Sequence, residues 1–264
     1  MLESVVFMTN GITTFLGRLF GARRISKATF VGRIDDGCGL HRFASRRDQA
    51  VSDCRCVGLL AEALQAQRGR DPDRGARDSL RALREAATAA DRWVDESRIS
   101  LFGDLVSKRT GESAVYWNSG ESVFYKVKNP EAKRPLKRTG DNDWVYEHVI
   151  HNILFPEASY EFVGIGEETG ELRVVLRQRA VLTETFPTRR QIVRALAERG
   201  LRREDRYFFG DSVVSVTDVG EHGDNVLLGD NGVVYFVDPL IRLHRPAPDV
   251  IEFLTGFNPE KPSL

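Results

Sequence analysis

The stretch Glu112-Ser113-Ala114-Val115-Tyr116-Trp117-Asn118-Ser119-Gly120-Glu121-Ser122-Val123-Phe124-Tyr125-Lys126-Val127-Lys128 decides the reading of the fold. Two β-branched and aromatic runs flank a Ser-Gly turn, the pattern of a β-hairpin. Its second strand carries a lysine among apolar residues. Downstream, residues 129 to 141 hold Pro130, Pro135 and four Lys or Arg, which predicts a solvated loop. Asp141-Asn142-Asp143 offers helix N-caps, so Trp144 to Leu154 is expected as a helix ended by Pro156. Strands follow near 159 to 165 and 171 to 181, then a helix over 188 to 199 ended by Gly200. The tail is strand-rich, with runs at Arg206 to Phe209, Ser212 to Val216 and Asn225 to Leu228. A turn at Asp230-Asn231-Gly232 leads to a last run, Val233 to Val237. This order is an α+β arrangement.

Upstream of the hairpin, Leu80, Leu83, Ala87, Ala90 and Trp93 recur at helical spacing, as do Leu59, Leu60 and Leu64. A polar breaker, Arg68 to Gly75, predicts two helices joined by an exposed turn. Residues 1 to 56 show no sustained period. The chain therefore divides into a partly helical N-terminal extension (1–96), a main domain (97–250) and a C-terminal tail (251–264). Within the main domain a strand-rich part (97–178) precedes a compact second part (179–250).

With 264 residues and 41% hydrophobic content, the chain has enough apolar surface for a globular core. Its formal net charge is +0, so no global field draws it to nucleic acid or anionic lipid. Cys38, Cys54 and Cys56 are odd in number and unlike a secreted disulfide scaffold. Val5-Val6-Phe7-Met8 is too short for a signal-peptide core. A cytoplasmic protein without a membrane span is expected.

Two features carry chemistry. Phosphoryl transfer needs a cation on the nucleotide's phosphates, held by a carboxylate, and Lys126 is the candidate. On the next helix Glu147, Ile150 and Leu154 share a face that would let Glu147 reach Lys126. The second feature is Asp218-Val219-Gly220-Glu221-His222-Gly223-Asp224-Asn225-Val226, followed after a turn by Val237-Asp238-Pro239. An Asn and an Asp brought together by a short hairpin form a hard oxygen pair suited to Mg²⁺. The bland alternatives are a solvated strand lysine, a surface glutamate and turn-capping Asn and Asp residues.

Taken together in this order, Glu112, Val115-Tyr116, Val123 to Val127, Tyr146-Glu147, His151 to Pro156, Val174 to Gln178, Pro187-Thr188, Asp218, Asn225 to Leu227 and Val237-Asp238-Pro239 resemble the polyvalent-protein kinase domain of bacteria and mobile elements. The likeness spans about residues 105 to 245. It implies a minimal, two-lobed, protein-kinase-like fold acting as an ATP- and Mg²⁺-dependent phosphotransferase. By that resemblance Lys126 would hold the phosphates and Glu147 would pair with it. Gln178 would lie in the segment linking the lobes, where the backbone meets adenine. Asn225 and Asp238 would bind Mg²⁺.

Two departures qualify the pattern. The Asp that orients an acceptor hydroxyl usually lies five residues before the metal-binding Asn, where this chain has Gly220. Asp218, His222 and Asp224 are then the candidate bases, and Asp218 is preferred if the loop carries a two-residue insertion. Only 26 residues follow Asp238, which suits a small-molecule or toxin-like phosphotransferase better than a regulated protein kinase. Phe124 also stands where a small residue commonly faces the adenine. The competing expectation is a non-catalytic, pseudokinase-like module binding nucleotide or a partner. A third reading places the function in the helical extension.

Other motifs favour blander readings. Cys54-x-Cys56 with Cys38 and His41 is a poor match to structural zinc spacing. The arginines at 189, 190, 194, 199, 202, 203 and 206 suggest a solvated helix face more than a nucleic-acid stripe. Gly164-x-Gly166 lacks the following helix of a dinucleotide fingerprint. His151 reads as a packed residue. The phosphate acceptor is left open by the sequence.

Overall fold

The computed structural model describes residues 75–109, 113–129, 143–169, 171–181, 183, 185–203, 209–210, 213–220 and 225–255. The first of the two predicted helices, the Cys38, Cys54, Cys56 and His41 set, and the candidate bases His222 and Asp224 lie outside the described residues.

Alternating apolar residues and a Ser-Gly turn produce the expected hairpin. Strand β3 (Ser113–Asn118) pairs antiparallel with β4 (Val123–Lys128), placing Val115 opposite Lys126 and Trp117 opposite Phe124. A strand that the sequence left undivided, β2 (Asp104–Arg109), extends this meander on its outer side. Strands β5 (Tyr160–Glu168) and β6 (Glu171–Arg179) complete it, with β6 seated between β4 and β5. The far edge is β1 (Trp93–Val94), running parallel to β5, so the six strands lie in the order β1-β5-β6-β4-β3-β2.

The β1 edge explains Gly164 and Gly166. A Cβ at Gly164 would lie 2.1 Å from the Arg92 carbonyl oxygen, and one at Gly166 would lie 2.2 Å from that of Val94. These glycines exist so that two backbones can approach, as strand glycines often do.

Helix α1 (Gly75–Ala89) buries Leu83 and Ala87 against Tyr160, Phe162, Ile165, Val174 and Leu176. The helical periodicity extended one turn too far, because Trp93 belongs to β1. A short helix α2 (Glu96–Ile99) leads into β2. Since α1 and β1 pack on or within the six-stranded sheet, the sheet's structural unit begins before residue 97.

Helix α3 (Asp143–Leu154) is apolar on more than one side, and so it is enclosed. Tyr146, Val149, Ile150 and Leu154 enter the largest core cluster together with Ile192, Leu196, Val214, Val216 and Phe236. Helix α4 (Arg189–Ala197) starts at a capping box in which Thr188 and Gln191 satisfy each other's backbone N–H groups. Short strands β7 (Arg202–Arg203), β8 (Phe209–Gly210), β9 (Val214–Thr217) and β12 (Leu240–Leu243) form a four-stranded sheet in the order β12-β9-β8-β7. Between β9 and β12 lies the hairpin of β10 (Val226–Leu228) and β11 (Val234–Phe236). The final described element, α5 (Ala247–Thr255), buries Ala247, Val250 and Ile251 in the same core as α3. A tail beginning at 251 therefore cuts through a packed helix. No helix among the described residues is long and apolar enough to cross a membrane.

Candidate functional site

The site forms where the six-stranded sheet meets the β10–β11 hairpin. On β4, alternation turns Lys126 to the same face as Phe124, and only 2% of its surface stays exposed. A buried ammonium must find partners. Its Nζ lies 3.1 Å from Asp238 Oδ1 and donates to the Tyr160 hydroxyl at 2.7 Å and to the Val237 carbonyl at 3.4 Å. Asp238 follows β11, and its side chain is 32% exposed, so one end of the pair is sealed and the other opens outward. Both polar contacts of the carboxylate, to Lys126 and Tyr160, fall on Oδ1.

Burial alone would raise the Asp238 carboxyl. The Lys126 ammonium, with Lys128 behind it, overcomes this and holds the carboxyl well below the usual range. Burial pulls the Lys126 ammonium down, and Asp238 opposes it.

Glu147 occupies the expected helix, and its ion pair is with Lys128 at 4.0 Å. Its charge also favours the ammonium of Lys126, more weakly than that of Asp238 does. The carboxylate in salt-bridge contact with Lys126 is that of Asp238. A helical pattern places Glu147 on a face, yet it does not say which of two lysines two residues apart on β4 will meet it.

Gln178 stands inside β6, opposite Phe124 on one side and Tyr160 on the other. The chain leaves the sheet after it, with the Ala180 N–H bonded to the Ser122 carbonyl at 3.1 Å. Its amide, 2% exposed, donates to the carbonyls of Ala158 at 2.6 Å and Val237 at 3.3 Å, while Oε1 is buried without a hydrogen-bond partner. Here it is the Gln178 side chain that faces the site. Phe124 packs beside it against Trp117, ring centroids 4.7 Å apart.

The hairpin also brings Asn225 to Asp238. The Asn225 carbonyl accepts from the Val237 N–H at 2.8 Å and the Asp238 N–H at 3.5 Å. Its side-chain Nδ2 donates to Asp218 Oδ2 at 2.6 Å, so the seven-residue spacing closes into a contact. Asp218 has a left-handed backbone, with φ 61°. Asp tolerates that region better than most residues, at a modest cost that marks the position as constrained. Gly220 is exposed, with open space around it. By their chemistry the Asp238 carboxylate and the Asn225 amide oxygen would be hard oxygen donors. Mg²⁺ takes such a small protein contribution when phosphate oxygens and water complete its shell. The donor set fits the ion.

Tyr160, Asn152 and Lys128 escaped the sequence reading. Tyr160 alternates with Phe162 on the inward face of β5, and a buried tyrosine hydroxyl needs a partner, which was the available signal. Two arginines of the basic stretch beyond the site make local contacts, and Arg206 lies outside the described residues. Arg194 pairs with Glu198 at 2.9 Å, and Arg199 caps α3 through the Leu154 carbonyl at 2.9 Å.

Two buried histidines of α3 back the site. The ring of His148 stacks on Phe162, 5.1 Å between centroids, with Nε2 unpartnered. His151 Nε2 meets the Phe236 carbonyl at 3.0 Å, so that nitrogen carries the proton. Burial lowers His148 to about 3 and His151 to about 4. Both are neutral in the fold, whereas an unfolded chain protonates them below about pH 6.5. Stability is therefore expected to fall as pH drops from about 6.5 toward 4, by roughly 1 kcal/mol per pH unit for each histidine. Thermal melts at pH 7, 6 and 5 check this, and His148→Phe should flatten the acid limb.

The family model for the serine/threonine/tyrosine kinase found in polyvalent proteins matches residues 77–245, starting within α1 and ending just beyond β12. No curated protein and no solved structure matches the chain. A match over well more than half the chain, covering every residue of the Lys126, Asp218, Asn225 and Asp238 constellation, places this protein in the family of serine/threonine/tyrosine kinases found in polyvalent proteins.

Proposed function

We propose that the chain is an ATP- and Mg²⁺-dependent phosphotransferase with a two-lobed, kinase-like organisation, residues up to about 178 forming the first lobe. The observation that carries this reading is the contact of buried Lys126 with Asp238 across the junction of two sheets. Lys126 supplies a fixed cation for the nucleotide's phosphates. Asp238, through Oδ2, and Asn225 would hold Mg²⁺, which when bound neutralises the charge developing on the transferred group. Asp218, oriented by its hydrogen bond from Asn225, would accept the acceptor's proton. Gln178 and Phe124 line the side where the base would lie. The partners are thus a nucleotide and a phosphate acceptor of undefined class.

A second reading, a nucleotide-binding module without turnover, draws on the burial of Phe124 against Trp117 beside Lys126. A melting scan with and without Mg·ATP, run beside an ATP-consumption assay, tests both. A ligand at ~100 times its Kd adds about 2.7 kcal/mol of stability, which in a domain of this size raises Tm by roughly 5–10 °C. A metal-dependent shift with consumption supports the enzyme. A shift without consumption favours the module, and no shift sinks both.

A further inference from the structure

We propose that Tyr160 is the positioning residue of the Lys126–Asp238 pair, clasping the hairpin end to the six-stranded sheet through its hydroxyl; this rests on the phosphotransferase reading only for its catalytic consequence. The hydroxyl accepts from Lys126 Nζ at 2.7 Å. Its single proton goes to the Val237 carbonyl at 2.6 Å, with Asp238 Oδ1 at 3.2 Å as the second acceptor. One oxygen thus touches the cation, the carboxylate and the backbone that carries the carboxylate.

Lys126, Tyr160 and Gln178 come from three adjacent strands, β4, β5 and β6, and all three donate to the Val237 carbonyl. Tyr160 makes the shortest of these bonds. Gln178 is held more closely by Ala158 at 2.6 Å. Tyr160 is itself anchored from behind. Asn152 on α3 donates to its carbonyl at 2.6 Å and accepts from its N–H at 2.7 Å, so both backbone polar groups are fixed by one side chain.

A neutral hydroxyl suits this task. A carboxylate in its place would orient the ammonium and also offset its charge, whereas a phenol orients it and leaves the charge for phosphates. When Asp238 turns to a cation, Tyr160 still holds Lys126 and Val237.

The test is Tyr160→Phe in the full chain, which deletes one oxygen and keeps the ring packed among Leu83, Phe162 and Leu176. Backbone hydrogen–deuterium exchange is measured without nucleotide, and kcat and KM for Mg·ATP with it. Exchange over residues 234–240 is expected to rise at least ~10-fold while β2–β3 is unchanged, and kcat/KM to fall about 10- to 100-fold, the loss typical of a hydrogen bond to a charged group. A general destabilisation would speed exchange in both regions and overturn the proposal. Unchanged exchange at 234–240 also overturns it, even if the enzyme is active. Local opening in a chain whose wild type never consumes ATP keeps the clasp and discards the phosphotransferase. Should Tyr160→Phe not fold, Asn152→Ala must give the same localised opening, and its failure to do so counts against the clasp.

Discussion

Asp238→Asn is expected to lose phosphoryl transfer by at least ~10²–10³-fold, the loss seen when one preorganised electrostatic group is removed. Lys126→Ala is expected to do the same, but the two changes differ in stability. Lys126 is 2% exposed, so Asp238→Asn leaves a buried ammonium with no counter-charge in contact. Breaking a buried pair from one side costs on the order of 3–5 kcal/mol, less here because Tyr160 and the Val237 carbonyl still accept from the lysine. Lys126→Ala leaves Asp238, whose side chain is 32% exposed and free to regain water. Urea melts should therefore show Asp238→Asn as the more destabilised variant, while ATP-consumption assays show both inactive. Transfer at the wild-type rate by a folded Asp238→Asn chain would refute the mechanism outright.

Asp218→Asn separates chemistry from binding. The replacement amide keeps an oxygen to accept from Asn225 Nδ2, now 2.6 Å from Asp218 Oδ2, so the loop's geometry should survive. What disappears is the carboxylate that would take the acceptor's proton. General-base loss costs typically 10²–10⁴-fold, so kcat should fall about that far. The Mg·ATP-induced rise in Tm should stay within about 1 °C of wild type, one degree being well under the shift given by 1 kcal/mol of lost binding. Loss of that rise would make Asp218 a cofactor ligand instead. An unaltered kcat would transfer the role to another member of the loop, such as His222 or Asp224.

How far the site could be read in advance depends on the range of each interaction. The antiparallel hairpin of Val115 and Lys126 follows from alternation and a Ser-Gly turn, both local signals. The Asn225–Asp238 juxtaposition follows from a short hairpin for the same reason. Asp218 was legible as a candidate because the two-residue departure from the usual spacing is visible in the chain. What the tertiary structure adds is the hydrogen bond from Asn225 to Asp218 and the left-handed backbone at Asp218. Trp93 misled because its helical spacing continues past the end of α1, while its backbone pairs with Ile165 of β5.

The sequence by itself determined the hairpins, the two helices expected at 144–154 and 188–199 and found at 143–154 and 189–197, the family pattern, and the candidate residues that the proposed function draws on. These depend on periodicity and turn chemistry within a dozen residues. Tertiary structure alone decided which charge meets which. Lys126 meets Asp238 across 112 positions of chain, Glu147 meets Lys128, and Tyr160 joins Lys126 to Val237. The physical reason is register. A strand residue's partners are set by how three neighbouring strands and a distant hairpin align, and a shift of one residue would turn Lys126 to the opposite face of its sheet.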